Sequence, residues 1–265
     1  MDHPKPLNDI PVELLAHILI LSHNSNLVTV NQHTYRCLAR APPYVHYGFL
    51  LSMAEGDELL ALNLGLRHRF LSLELLDMFA NNNNNAYWAK TDLPKAWKLP
   101  AWLFNISPLS PSNGSDQGDT SCHPKKRRKR ESTDTDASDQ HQNKRYIGHL
   151  KMVERLLSWG IPPDSGGCLP LIKSAQLGLF EMVELLLSYK ASPQTNGNMA
   201  LSLAVTRGHY GIVKLLVRAG APLESRVLRY AVQKNQWRIV KYLMKKGAVP
   251  DFETVQMVSS SGIRL

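Results

Sequence analysis

The stretch GHYGIVKLLVRAGAP occupies residues 208–222, and related stretches occur before and after it. Each related stretch pairs two apolar residues with a charged one and continues into leucines or other apolar residues. The four stretches are spaced by 30, 30 and 27 residues and begin at Met152, Met182, Ile212 and Ile239. A nearly fixed period of this size indicates a solenoid built from stacked structural repeats.

An earlier apolar segment precedes the last three stretches by a constant 11 residues, and it begins at Leu171, Leu201 and Leu228. The constant offset predicts two short helices joined by a fixed turn. Gly178 and Gly208 occupy this turn, where the chain must reverse and glycine is conformationally permissive. The return to the next first helix varies in length, which predicts a loop on one side of the stack.

These segments resemble the ankyrin repeat. Residues 208–222 match the second half of that repeat, and the triplets at 148–150 and 178–180 match its turn between helices. The usual Thr-Pro-Leu-His opening of the first helix is replaced by LPLI at 169–172 and MALS at 199–202. The hydrogen bonds that Thr and His normally supply are therefore expected to be missing, and the repeats to be looser than the family average.

The resemblance implies an all-α ankyrin-repeat solenoid with short hairpin loops over residues 146–265, ending in a half repeat at 251–258. It also implies a protein substrate as the partner of the stack. First-helix positions that point outward, followed by three loop residues, are the expected substrate contacts: Lys173, Gln176, Ser202, Thr206, Arg207, Arg229 and Gln233, then Gln194, Asn196 and Asn198.

Residues 7–40 differ from the repeats and predict a separate helical module. Pro11 suits the first turn of a helix, because its missing amide hydrogen would have no partner there. Glu13 suits the positive end of the helix dipole. Apolar residues then follow at helical spacing and predict one apolar face: Leu14, Leu15, Ile18, Leu19 and Leu21.

This module resembles an F-box. Residues 10–15, IPVELL, match the opening of that motif, and residues 30–38, VNQHTYRCL, match its closing helix, although Thr34 stands where a large apolar residue is common. The resemblance implies a three-helix module that docks on the small adaptor of a cullin-type ubiquitin ligase. The positions that match the adaptor-binding face are Ile10, Pro11, Leu14, Leu15, Ile18, Leu27 and Val30. The alternative is that these residues form the core of a helical cap over the first repeat.

Residues 48–104 predict divergent N-terminal repeats, since the 11-residue offset recurs between Leu62 and Leu73. The run of five asparagines at 81–85 predicts a loop, because it has nothing apolar to bury and asparagine favours turns. Residues 99–104 predict the first helix of the repeat whose second helix is 149–159. The aromatic residues of this region predict core packing rather than a ligand cage: Trp88, Trp97, Trp102 and Phe104.

Residues 105–145 predict a disordered insert, because they are rich in polar residues and lack the apolar surface that offsets the entropy of ordering. The centre of the insert resembles a monopartite nuclear localisation signal: Pro124, Lys125, Lys126, Arg127, Arg128, Lys129 and Arg130. The resemblance implies an importin as partner and a nuclear location with a cytoplasmic pool. The alternative is a solvated basic linker that touches nucleic acid without specificity.

Composition narrows the function classes. The formal net charge is +9, but the basic run supplies six of these charges, so the rest of the chain does not predict a specific nucleic-acid partner. Three scattered cysteines predict a reducing compartment rather than a disulfide framework. The apolar stretch at 14–21 is too short to span a bilayer. No metal or cofactor is expected, since Cys122 and His123 lack a second ligand pair.

No catalytic motif is apparent, so an enzyme is not expected. The sequence favours a substrate receptor of a cullin-type (SCF) ubiquitin ligase, with a nuclear ankyrin scaffold without ligase association as the alternative. The accessibility of Leu14, Leu15 and Ile18, against their burial on residues 50–80, separates the two hypotheses. A nucleic-acid binder that acts through the basic run is the third hypothesis, and strong salt dependence would be its mark.

Overall fold

The computed structural model describes residues 10–22, 32–39, 41–90, 97–106 and 135–260, and every regular element within these ranges is helical. The chain divides into two compact units. Unit one comprises residues 1–102 and 151–165, and unit two comprises residues 103–150 and 166–265. The predicted all-α fold is confirmed.

Five helices of unit one precede residue 97: α1 (Val12–Ser22), α2 (Gln32–Ala39), α3 (Pro43–Met53), α4 (Glu58–Gly65) and α5 (Leu73–Lys90). Helix α3 packs against α1, α4 and α5, and α1 also packs against α2. Phe49 and Leu50 on α3 are buried with Phe79 on α5, so α3 is the central element of this core. Asp57 caps α4 by accepting hydrogen bonds from two backbone amides of its first turn.

The prediction of a loop at the asparagine run is wrong, because α5 continues through residues 81–85 to Lys90. The helix is already nucleated by its first two turns, where Leu75, Leu76 and Phe79 are fully buried. Adding a residue to an existing helix costs far less than starting one, and asparagine is only moderately unfavourable within it. The preceding packing therefore overrides the turn preference of asparagine.

The first complete repeat was predicted from residues 99–104 and 149–159, with the insert between them, and this region also differs from expectation. Residues 99–104 were expected to form a helix, yet only Ala101–Phe104 form a 3₁₀ turn. Trp97 and Phe104 are buried, which confirms the core assignment for these two aromatic residues. Helix α6 spans Thr135–Ser158, so residues 135–145 are helical and the predicted boundary of the insert at 145 is wrong. The basic run at 124–130 lies outside the described residues.

The remaining helices follow the repeat: α7 (Ser165–Leu177), α8 (Phe180–Ser188), α9 (Thr195–Arg207), α10 (Tyr210–Arg218), α11 (Ser225–Gln233), α12 (Trp237–Lys245) and α13 (Phe252–Ser260). Helices α7, α9 and α11 are the first helices of their repeats, and α8, α10 and α12 are the second helices. Helix α9 packs on α10 and α11, and α10 packs on α8 and α12. Helices α9 and α10 thus contact both each other and the helices of the next repeat.

The turn between paired helices contains glycine where the sequence predicted it. Gly178 and Gly208 both have a φ of 79°, in the left-handed region that disfavours side chains. A side chain at Gly178 would also collide with the ring of His209, because a Cβ there would lie 2.8 Å from its Cε1 atom. These glycines therefore permit both the chain reversal and the close approach of the next repeat.

The altered openings of α7 and α9 adopt a left-handed turn before the regular helix begins. Residues 166–168 and 196–198 all have positive φ values. Side chains in these turns reach the neighbouring loops: Cys168 donates to the Ser192 carbonyl, and Asn198 donates to the Pro222 carbonyl. Hydrogen bonds between adjacent repeats thus brace the turn, where the Thr and His hydrogen bonds were expected to be missing.

The predicted terminal half repeat corresponds to α13, which packs on α11. Asp251 caps this helix, because its carboxylate accepts a hydrogen bond of 2.8 Å from the Thr254 amide. Hydrogen bonds from the hydroxyl and the amide of Thr254 hold the pKa of the Asp251 carboxyl below its usual value. The Asp251 cap therefore fixes the start of α13.

Candidate protein-binding surfaces

Helix α1 has one face in the core and one face in solvent. Leu15 and Leu19 are 0% and 1% exposed, and they lie on the side that packs towards α3. Leu14, Ile18 and Leu21 are 55%, 39% and 77% exposed. Residues three and four apart share one side of a helix, so these three form a continuous apolar strip, here called the α1 strip.

Most of the described residues predicted to contact an adaptor are accessible. Pro11, Leu14 and Ile18 are exposed, and Ile10 is half-buried. Leu15 is fully buried, which corrects its assignment as a contact residue. The reason is that Leu15 and Leu19 share the opposite side of the helix, a distinction that a list of apolar positions does not make. Two further predicted residues, Leu27 and Val30, lie outside the described residues.

Leu21 was not among the predicted contacts, although it is the most exposed residue of the α1 strip. Its position, three residues after Ile18 and seven after Leu14, is the helical spacing that could have identified it. The strip is thus longer by one residue than the predicted contact set.

The predicted substrate contacts on the first helices differ in accessibility. Lys173, Arg207 and Gln233 are exposed, whereas Gln176, Ser202 and Thr206 are partly buried. The hydroxyl groups of Ser202 and Thr206 donate to backbone carbonyls of their own helix, as these side chains often do within helices. The three exposed residues therefore remain the best-placed members of this set.

Two of the three predicted loop contacts are exposed. Gln194 donates to the Gly220 carbonyl and Asn196 donates to the Gly167 carbonyl, and both side chains still face solvent. Asn198 is only 1% exposed, which corrects its assignment as a substrate contact. Its amide is used within the stack, so burial and hydrogen bonding replace the surface role expected for a loop asparagine.

Arg229 lies on α11 and faces the terminal helix α13. Its guanidinium forms ion pairs with Asp251 at 3.3 Å and with Glu253. The same residue lines a cavity of about 390 Å³ together with Glu224, Ser225 and Arg226. Two acidic neighbours partly neutralise the charge of Arg229, so it is a weaker candidate for an acidic partner than Lys173 or Arg207.

His209 precedes α10 at the turn between paired helices, whereas His149, which the sequence placed in such a turn, lies within the continuous helix α6. His149 Nδ1 donates to the Leu103 carbonyl at 3.0 Å, and His209 Nε2 donates to the Gln176 carbonyl at 3.3 Å. Burial lowers the pKa of both imidazoles below the usual value of 6.5. These hydrogen bonds join neighbouring segments of unit two.

The described part of the chain offers no candidate metal site and no candidate membrane-spanning helix. Its histidine, cysteine and acidic side chains do not form a group of three or more suited to a metal ion. Within the same residues, no helix has both the length and the apolar character needed to cross a membrane.

The comparison with protein families identifies the repeated helices. Residues 144–227 match the family model for ankyrin repeats, with three copies. The match includes the end of α6, helices α7 to α10 and the start of α11, and it confirms the predicted ankyrin repeats over these residues. These repeats are a protein–protein interaction module. Neither the curated proteins nor the solved structures gave a match to the chain.

Proposed function

We propose that this protein is a substrate receptor of a cullin-type ubiquitin ligase. The α1 strip binds the ligase adaptor, and the exposed side of the ankyrin repeats binds a protein substrate. The observation that carries the proposal is the exposure of Leu14 and Ile18 on a helix whose opposite side is fully packed. The F-box-like opening at residues 10–15 supplies the class of partner.

The alternative role as a structural cap requires the same apolar residues to be covered by the chain itself. The core contacts of α1 are made by Leu15, Ala16 and Leu19, which are at most 7% exposed. The α1 strip is not needed for that core. An apolar side of a helix docking into a partner groove is a recurrent mode of recognition, and burying it is favourable by about 25 cal/mol per Å² of apolar surface.

In the proposed function, the ankyrin repeats bind the protein substrate. Lys173, Arg207 and Gln233 are exposed on three successive first helices, so they offer polar contacts at regular intervals along unit two. The protein would perform no transfer chemistry itself. It would hold a substrate near the ligase, where the higher effective concentration favours ubiquitin transfer.

Co-purification of the full chain with the cullin-ligase adaptor tests the proposal. The test variant is Leu14→Asp/Ile18→Asp, which places two charges in the α1 strip. The matched control is Leu60→Asp/Leu169→Asp, because these leucines are 45% and 46% exposed on α4 and α7. All four positions are accessible, so both variants are expected to fold, and circular dichroism checks their helical content.

The proposal expects the wild type and the control to retain the adaptor and the α1 variant to lose it. Failure of the wild type to bind the adaptor would overturn the proposal and favour a scaffold without ligase association. Equal binding by a folded α1 variant would also count against it, since the adaptor would then use another surface.

A further inference from the structure

The outward sides of α10 and α12 form a basic groove that the function proposed above does not use. Six cationic side chains line a cavity of about 500 Å³ with two tyrosines, and the described lining includes no acidic residue. The residues that define this basic groove are Tyr210, Lys214, Arg218, Arg238, Lys241, Tyr242, Lys245 and Lys246. Both helices belong to unit two and pack directly on each other.

Contacts with the Tyr210 ring restrict two of the six cationic side chains. The Arg238 guanidinium lies 4.4 Å from the centroid of the Tyr210 ring, and Lys214 Nζ lies 4.6 Å from it. The Tyr242 ring meets Tyr210 edge-on, with centroids 5.7 Å apart. Cation–π contacts restrict the long side chains without neutralising them. Less rotamer entropy is then lost when an anion binds, so the groove is partly preorganised.

The positive charge is particular to these two repeats. The position occupied by Lys214 and Lys241 carries Glu184 on α8, and Glu181 stands one helical turn before it. The basic side of the stack therefore begins at α10 and is not a general property of second helices in this chain. The side-chain charge changes from negative on α8 to positive on α10 and α12, and this change would direct an anionic partner to α10 and α12.

Gathering these cations has an energetic cost in the unbound protein. Lys214 and Arg218 are four residues apart on α10, as are Lys241 and Lys245 on α12. Like charges at this spacing destabilise a helix. An anionic ligand would relieve this repulsion, so binding and local stability are coupled.

We propose that the basic groove binds an acidic peptide segment of a partner protein. Its volume lies within the range of about 300–1,000 Å³ typical of ligand sites, enough for several side chains of a peptide. Lysine and arginine donors on two neighbouring helices complement a row of carboxylates. The site is distinct from the first helices and from the α1 strip, so this inference does not depend on the ligase proposal.

The geometry favours a peptide over nucleic acid. Single-stranded nucleic acid is generally held by aromatic rings that stack on bases. In the basic groove, Tyr210 already contacts two cations and Tyr242, so it does not offer an open stacking surface. A DNA major groove about 12 Å wide admits one helix, whereas this surface is formed by two helices packed side by side.

Fluorescence polarisation with a labelled 12-residue peptide rich in glutamate and aspartate tests this site. The same peptide with glutamine and asparagine in place of the acids is the probe control. The basic run at 125–130 could attract the acidic peptide by charge alone, so every titration uses the full chain with these six residues replaced by glutamine. Helical content is checked for each variant.

The test variant is Lys214→Glu/Lys241→Glu. Lys144→Glu/Lys151→Glu is the matched control, because it makes the same change of charge at exposed lysines on α6. The acidic peptide should bind the parent and the control equally, and its affinity should fall at least about tenfold in the groove variant. Binding should also weaken as salt is added.

Three results would overturn the proposal. Equal affinity in the groove and control variants would place binding elsewhere. Equal affinity for the neutral peptide would remove the role of charge. Tighter binding of a single-stranded oligonucleotide, lost in the same groove variant, would identify the site as a nucleic-acid site. Because the α1 strip is unchanged in all these proteins, adaptor binding can be measured separately in the same samples.

Discussion

At the scale of single residues, two partly buried histidines, His149 and His209, couple stability to pH. Burial lowers the pKa of His149 and His209, so the folded chain keeps both rings neutral at pH values where the unfolded chain, with a histidine pKa of about 6.5, is protonated. The stability that depends on the neutral rings is fully present above pH 6.5. It is lost as the pH falls through 6.5 towards the lower pKa of the folded state.

We therefore expect the free energy of unfolding to fall between pH 7.5 and pH 5.5, and to fall less in His149→Gln/His209→Gln. Glutamine can still donate to the Leu103 and Gln176 carbonyls, but it does not titrate. Urea unfolding followed by circular dichroism at both pH values measures the difference. An unchanged pH dependence in the double variant would contradict the assignment, and His17→Gln, at an exposed histidine of α1, is the control.

Asn198 shows why residue type alone misassigned one contact. A polar residue in a predicted loop is usually exposed, but here the loop is a left-handed turn with a φ of 63° at this position. Asparagine tolerates that conformation better than most residues. The turn directs its amide at the Pro222 carbonyl of the next repeat, and the side chain is buried as a consequence.

At the scale of elements, the two sides of α1 predict opposite responses to truncation. Leu15 is fully buried, so Leu15→Ala should lower the free energy of unfolding by about 2–5 kcal/mol. Leu14 is 55% exposed, so Leu14→Ala should change it by less than about 0.5 kcal/mol. Chemical denaturation of the two variants and the wild type measures both values.

If Leu14→Ala and Leu15→Ala lower the free energy of unfolding by similar amounts, the α1 strip must be covered in solution. That result would favour the structural cap over adaptor docking. The comparison is internal to one helix and uses one type of substitution, so differences in helix propensity cancel.

At the scale of the whole molecule, the distribution of charge predicts where the protein is found. Six of the nine net positive charges lie in the run at 125–130. We propose that this run directs nuclear import, and that Lys126→Ala/Arg127→Ala/Arg128→Ala abolishes nuclear accumulation. The measurement is imaging of the full chain fused to tandem fluorescent proteins too large for passive entry into the nucleus.

Import that continues in this triple variant would contradict the proposal. The control is Lys214→Ala/Lys241→Ala/Lys245→Ala, which removes the same number of charges from the basic groove. Loss of accumulation in the control alone would assign import to the repeats. The two basic regions are thus separable by the same assay.

Local patterns along the chain were enough to predict the repeated helix pairs of this protein. A helix that must bury one side against its neighbour carries apolar residues at fixed intervals, and Gly178 and Gly208 mark turns that other residues disfavour. Both signals are local, so a single chain displays them. The repeats and the terminal helix α13 could therefore be predicted before any coordinates were known.

The accessibility of individual side chains and the length of some helices depend instead on how the helices pack on one another. Leu14 and Leu15 are adjacent and chemically identical, and their separation into solvent and core depends on where α3 packs. The asparagine run became helical because buried leucines had already nucleated α5. The basic groove requires cations from α10 and α12 to meet, and this meeting depends on the stacking of repeats rather than on either helix alone.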